Sequence, residues 1–317
     1  MIVSLTHEHD LDGLGSQAII RRYFNLSSEY RNNEIAYNYA DYTNFVEKIK
    51  NILSTEPIPS HLIISDIGFN ESFKDLFSVF KGAEKNGCKI SWFDHHIVGE
   101  SIKEELKTLI HLYINDTKKC AAEIVKEYYM KNDPIASKIA EFARDTDFET
   151  NKHNLASELQ SIISYNRGDR NDQNKLEIVR LLSQGDFHNP WFMEQLKSLK
   201  KWFEDESTFS LNHAIVFPVE FFGEIVISWA KIGGGRIARV LKPKYSDAKA
   251  FIGIDTRNYD IIIHSKFINC REFAREFEGG GHNTRAGFKY TDIFEKPNVL
   301  TQSFIEDVKK RISKFKS

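Results

Sequence analysis

The chain has 317 residues, 43 of them Lys or Arg and 45 Asp or Glu, for a formal net charge of −2 at pH 7. With 41% hydrophobic residues, 28% charged residues and seven prolines, it is too apolar for a disordered chain and lacks the fixed period of collagen or a coiled coil. The length suits roughly two domains. No apolar run reaches the ~20 residues of a membrane-spanning helix, and the opening MIVSLTHEHD does not read as a secretory signal.

Apolar strand-like runs alternate with amphipathic helical stretches through the first half. IVSLT (2–6) reads as a buried strand, followed by a turn and the helical GSQAIIRRYF; HLIISDIGF (61–69) and CKISWFDHH (88–96) read as further strands ending in polar, chemically capable residues. Helical segments NFVEKIKNILS, ESFKDLFSVFKGAEKNG and AAEIVKEYYMKN separate or follow them. This alternation predicts right-handed crossovers and a largely parallel sheet, with a ligand crevice beyond the carboxyl ends of the strands. A polar helical connector is expected over 155–211, with loop signals at NRGDRND and QGDFHNP. Strand patterns return at HAIVFPV, EIVISWA, AKAFIGID and YDIIIHS, with GGGRIARVLKPKY (233–245) as a glycine turn opening a helix. The expected organisation is an α/β chain with a catalytic domain at 1–154, the connector, and a smaller α/β substrate-binding domain at 212–317.

Charge is uneven along the chain. Residues 231–317 hold 18 basic and 10 acidic side chains, a balance of +8, whereas residues 1–230 hold 25 and 35, a balance of −10. An acidic first part suits divalent cations and a basic second part suits phosphate, although the basic last helix (Lys309, Lys310, Arg311, Lys314, Lys316) also fits a simple solvated face. Cys88, Cys120 and Cys270 are far apart and form no CxxC pair, which argues against a disulfide framework and predicts a cytoplasmic protein. Trp92 and Phe93 lie within a strand run and are expected in the core.

Four polar clusters carry potential chemistry. His7-Glu8-His9-Asp10-Leu11-Asp12-Gly13 follows the first strand and offers two aspartates separated by one residue with a nearby imidazole, donors that grip divalent ions. Asp66 ends the second apolar run, where an ordinary role would be to cap the next helix. Asp94-His95-His96 ends the third; adjacent histidines on a strand end point in opposite directions, so one suits a metal and the other a substrate. Asp145-Thr146-Asp147-Phe148 ends the apolar helical stretch SKIAEFA.

The ordered set DxDG, strand-end Asp, DHH and DTxF, followed by Gly279-Gly280-Gly281-His282, resembles the DHH/DHHA1 phosphoesterase superfamily, and the resemblance covers nearly the whole chain. It implies two divalent cations, manganese with magnesium as the alternative. His7, Asp10 and Asp66 would hold one ion; Asp12, Asp66, His95 and Asp145 would hold the other. His96 would contact the scissile phosphate, and Asp94 would fix an imidazole tautomer. The spacing of the first imidazole departs from related motifs. His7 is three residues before Asp10 and His9 directly precedes it, and His7 is preferred because it ends the strand. DTxF favours Asp145 over Asp147. In the second domain Gly279, Gly280, Gly281, His282 and Arg285 are expected to contact phosphate or base. The family has a small residue where Arg285 stands and an Arg-Ser pair where His264-Ser265 stands, which touches substrate choice.

The activity implied is exonucleolytic cleavage of short single-stranded RNA or DNA oligonucleotides to mononucleotides. Alternatives are hydrolysis of a cyclic dinucleotide or pAp, and a non-catalytic RecJ-like nucleic-acid-binding or replication partner. A membrane partner is not expected; protein partners and oligomeric state are not readable.

Overall fold

The computed structural model describes residues 1–30 and 34–315; Lys316, counted above in the basic last helix, lies outside them. The chain divides into two units, Met1–Lys197 and Ser198–Ser317. None of the described helices is long and apolar enough to cross a membrane.

The first unit runs β1 (Ile2–His7), α1 (Leu11–Leu26), β2 (Ile35–Ala40), α2 (Phe45–Ser54), β3 (His61–Ser65), α3 (Leu76–Lys85), β4 (Lys89–Asp94), α4 (Glu100–Leu109), β5 (Leu112–Asn115), α5 (Ala121–Tyr129), α6 (Pro134–Asp147), α7 (Asn154–Tyr165) and α8 (Asp172–Gln184). All five strands are parallel, in the order β2-β1-β3-β4-β5. Strand alternation sends side chains to two cores. Ile63 and Phe93 join Ile19, Ile124 and Ile139 on one face, and Leu62, Ile64 and Trp92 join Phe45, Phe80 and Leu106 on the other. Trp92 is fully buried, and its indole N–H donates to the Ile67 carbonyl at 2.9 Å.

β2 and β5 are absent from the sequence reading, for a physical reason. Both are edge strands of partly exposed residues, IAYNYA and LYIN, so neither shows the continuous apolar run of a strand buried on both faces. The helical stretch expected as a connector contributes Leu159, Ile162, Ile163, Ile178 and Leu182 to the core of the first unit, and the boundary between units falls within α9 (Pro190–Asn212).

The second unit holds β6 (Ile215–Val219), β7 (Gly223–Ala230), α10 (Gly234–Leu241), β8 (Ala250–Asp255), β9 (Asp260–Ser265), α11 (Cys270–Arg275), β10 (Gly280–His282), β11 (Arg285–Phe288), β12 (Phe294–Lys296), β13 (Val299–Leu300) and α12 (Gln302–Ile312). Six strands form a mixed sheet, β10-β11-β9-β8-β7-β6. β7 and β8 are parallel because α10 crosses between them; the other pairs are antiparallel. Ile237 and Leu241 of α10 pack with Val226 and Phe251, while Phe273 and Phe304 of α11 and α12 pack with Ile227, Ile252 and Ile263.

Candidate metal centre and active site

The carboxyl ends of β1, β3 and β4 bring the first three polar clusters together. His7 ends β1, and Asp10 caps α1 by accepting from the Gly13 amide at 3.0 Å. Gly13 is required by close approach: a Cβ there would stand 2.1 Å from the His7 carbonyl oxygen. His7 Nδ1 lies 3.1 Å from Asp10 Oδ2 and 3.5 Å from Asp66 Oδ2. Burial disfavours the His7 cation, but the hydrogen bonds and charges of Asp10 and Asp66 outweigh it and push the imidazole up to about 10.

Asp66 follows β3 at φ 59°, a left-handed turn that costs energy in a non-glycine residue and clusters at functional sites. Its amide donates to the Phe93 carbonyl at 3.0 Å. Asp66 Oδ1 lies 3.3 Å from His95 Nε2, and that nitrogen lies 3.5 Å from Asp12 Oδ2. Asp12 and Asp66 are 1% and 2% exposed. Burial first, and then the neighbouring carboxylates (Asp66 acting on Asp12, Asp10 on Asp66), push both well above the usual carboxylate range. Asp12 also accepts the Ala121 and Ala122 amides, each at 2.7 Å, at the N-terminus of α5.

The two histidines of the third cluster follow the end of β4 and do not part as expected: their ring centroids are 4.6 Å apart and both group with Asp66. His96 Nδ1 pairs with Asp94 Oδ1 at 2.7 Å, and Asn115 Nδ2 donates to Asp94 Oδ2 at 3.2 Å and to the His96 carbonyl at 2.9 Å. Burial opposes the His96 cation, but the Asp94 pairing prevails and raises its pKa. Gly68 makes room for this imidazole, since a Cβ there would meet the His96 Cβ at 2.6 Å. Tyr42, not singled out in the sequence, accepts the Gly68 amide at 3.0 Å, and its ring centroid stands 5.9 Å from that of His7 and 6.2 Å from that of His96.

The fourth cluster departs from expectation. Asp145 is turned away from the centre: it accepts from Thr150 Oγ1 at 2.5 Å and from the Lys152 and His153 amides at 2.8 and 2.9 Å, closing the loop into α7. Asp147 instead approaches His95 Nδ1 at 3.6 Å and groups with Asp12 and His95. Two residues along a helix are about 200° apart around its axis, so only one of the pair faces the strand ends. The DTxF pattern carried no information about which.

The His9 ring centroid is 4.9 Å from that of His7, yet His9 joins a different group. Its Nε2 is 3.8 Å from both Glu8 and Asp41, whereas His7 joins Asp10 and Asp66. Gln160 of α7 braces this loop, accepting the Leu11 amide at 2.8 Å and donating to the His9 carbonyl at 3.3 Å.

The residues present fit divalent cations. Asp66 Oδ2 is buried and stands 3.5 Å from His7 Nδ1, Asp10 and the imidazoles of His7, His95 and His96 group with Asp66, and the protons drawn to His7, Asp12 and Asp66 mark an excess of negative charge that a cation would neutralise. Oxygen and imidazole donors together suit manganese or a similar ion.

In the second unit Gly279–His282 is an edge strand and turn rather than an open phosphate loop. A Cβ at Gly279 would lie 2.2 Å from the Gly287 carbonyl oxygen, and one at Gly281, where φ is 142°, would lie 2.6 Å from the Ala286 Cα. Packing across the β10–β11 hairpin therefore accounts for two of the three glycines. Gly279, Arg285 and the other triplet, Gly233–Gly235, line one cavity of about 620 Å³ with Lys289, Asp255 and Asp260. A second, of about 590 Å³, is lined by Arg285, Lys242, Lys249, His264, Lys266 and Phe267. Arg285 borders both; His282 is exposed and lines neither. The His264 imidazole is held down at about 4 by burial and by Lys242, Arg285 and Arg239.

A doubly wound parallel sheet with buried carboxylates and imidazoles at its strand ends defines the class: an α/β protein with a centre suited to divalent cations. Residues 1–144 of the chain match the DHH family, N-terminal domain. The chain is similar to the oligoribonuclease NrnB of Bacillus subtilis (strain 168), 22% identical over 316 residues that span 91% of this chain and 73% of the relative. Family and relative indicate a phosphoester hydrolase. Among solved structures, the DHH domain of a member of a family of ribosomal proteins superposes with a TM-score of 0.52 at 13% identity, covering 100% of this chain and 87% of the other. CDC45 from Entamoeba histolytica superposes with a TM-score of 0.55 at 10% identity, covering 100% and 95%. These two likenesses concern the fold alone.

Proposed function

We propose that the protein is a manganese-dependent phosphodiesterase that trims short single-stranded oligonucleotides to mononucleotides. The observation that carries this reading is the buried Asp66 carboxylate at the meeting point of the His7–Asp10 and His95–Asp12–Asp147 groups. His7, Asp10 and Asp66 would hold one cation; Asp66, Asp12, His95 and Asp147, in place of Asp145, would hold the other. Bound there, two such cations would supply Lewis acidity for the phosphoryl group and for a water nucleophile.

The chain's own residues do the rest. Asp94 and Asn115 fix the His96 ring through Nδ1 and the backbone carbonyl, so His96 Nε2 is the nitrogen left for a phosphoryl oxygen. Burial of Asp12 and Asp66 excludes water from the carboxylates and strengthens their pull on cations. The second unit, read as DHHA1-like, supplies Arg285 as a contact for the remaining nucleotides, with Gly279 lining the same cavity. The Arg285 fork matches phosphate geometry. The oligoribonuclease relative supports a short oligonucleotide as substrate.

The test is a panel of purified protein with manganese against labelled dinucleotides, 24-residue RNA and DNA strands, pAp and a cyclic dinucleotide. Fastest turnover of the dinucleotides is expected. Preference for pAp or the cyclic dinucleotide would reassign the substrate, and no turnover of any would overturn the hydrolytic reading.

A further inference from the structure

Lys175 of α8 is fully buried, a placement almost never found for lysine unless it is paired. Its Nζ is hydrogen-bonded to Glu8 Oε2, lies 2.8 Å from Asp172 Oδ1, and stands 4.7 Å from the centroid of the Tyr39 ring. Glu8 is also buried and accepts the Gly168 amide through both oxygens, at 3.2 and 3.3 Å. Its own amide donates to the Ala40 carbonyl at the end of β2, at 3.1 Å. Neither Glu8 nor Lys175 belongs to the ligand set proposed above.

A buried ion pair is weak evidence for stability, because desolvating two charges can cost more than their attraction returns. Its use here follows from where Glu8 sits. It directly follows His7, at a strand end where successive side chains point to opposite sides. With the Glu8 side chain anchored on Lys175 and Gly168, His7 is presented to Asp10 and Asp66.

We propose that Lys175 is a positioning residue for the cation centre: its pairing with Glu8 sets the direction in which the chain leaves β1 and so the reach of His7. The proposal rests on the two-cation reading of that site. It assigns the α8 helix a function that the length of sequence between Glu8 and Lys175 conceals.

The test compares manganese binding by calorimetry with the melting temperature of the metal-free protein, in wild type, Lys175→Met, the paired replacement Glu8→Leu/Lys175→Met, and Arg22→Met. Arg22 is the control, because it forms a partly buried pair with Asp133 in the same unit and touches none of the proposed ligands. Lys175→Met is expected to weaken binding of one manganese ion about tenfold, in the range seen when groups supporting metal ligands are removed. Arg22→Met is expected to lower the melting temperature while leaving affinity within about twofold, well under that range. The paired replacement removes both buried charges together, so it is expected to melt nearer wild type yet keep the weakened affinity, and it carries the test if Lys175→Met does not fold. Wild-type manganese affinity in the paired replacement, or in a folded Lys175→Met, would overturn the proposal. Absence of manganese binding by the wild type would instead overturn the two-cation reading itself.

Discussion

The strand-end centre of the first unit and the two cavities that Arg285 borders in the second differ in how tightly their side chains are held. In the first, Asp12, Asp66 and Asp94 are all buried, and backbone amides or neighbouring side chains fix each of them. In the second, Arg285 and His282 are exposed, on a short hairpin at the edge of the sheet. A preorganised, dehydrated cluster suits chemistry that tolerates little displacement. An open cationic surface suits a ligand that is held by charge and varies in length. Substitutions in the first region should therefore abolish function, and those in the second should grade it.

The largest effect is expected from Asp66→Ala and His95→Ala. Each should reduce hydrolysis to background, and Asp66→Ala should also release at least one manganese ion, because no neighbouring carboxylate stands between both ligand groups. Elemental analysis of metal content, with circular dichroism as the fold control, checks this. Normal turnover with two ions bound would erase the distinction between the two regions.

The next comparison separates Asp147 from Asp145. Asp147→Ala should weaken manganese binding by about ten- to a hundredfold with little change in melting temperature. Asp145→Ala should instead lower the melting temperature, since Thr150, Lys152 and His153 would lose their acceptor. Calorimetric titration and thermal melts on the same two proteins decide between them, and the reverse pattern would restore Asp145 to the centre. Parallel titrations of His7→Ala and His9→Ala sharpen the picture further: the His7 variant should lose far more affinity.

The smallest effect belongs to the second unit. Arg285→Ala should lower kcat/KM on oligonucleotides by about ten- to a hundredfold, the worth of one charge-assisted hydrogen bond, while manganese content stays unchanged. The loss should shrink on a chromogenic phosphodiester that lacks a second phosphate, and oligonucleotide binding should weaken as salt rises. Equal losses on both substrates would move the clamp elsewhere.

The sequence disclosed what depends on local order. β1, β3 and β4 were legible as apolar runs, and the chemistry at their ends was legible because strand ends in parallel sheets border the crevice. His7 was preferred over His9 on that rule, and the structure groups His7 with Asp10 and Asp66. What stayed hidden depends on contacts far apart in the chain or on helical phase. β2 and β5 carry no apolar run because each is an edge. Asp145 and Asp147 differ only in the side of α6 they occupy, which the four-residue motif does not encode. The glycines of 279–281 looked like a phosphate cradle, yet Gly279 and Gly281 answer to the hairpin beside them. Gln160 and Lys175 brace the first cluster from α7 and α8, and nothing near them in the sequence marks that role.

The most direct test of the whole account is release of mononucleotides from a 5′-labelled RNA pentamer by wild-type protein and by Asp66→Ala, each with manganese and with a chelator. The account predicts release only by the wild type with manganese. Equal release by Asp66→Ala, or release that persists in the chelator, would contradict it.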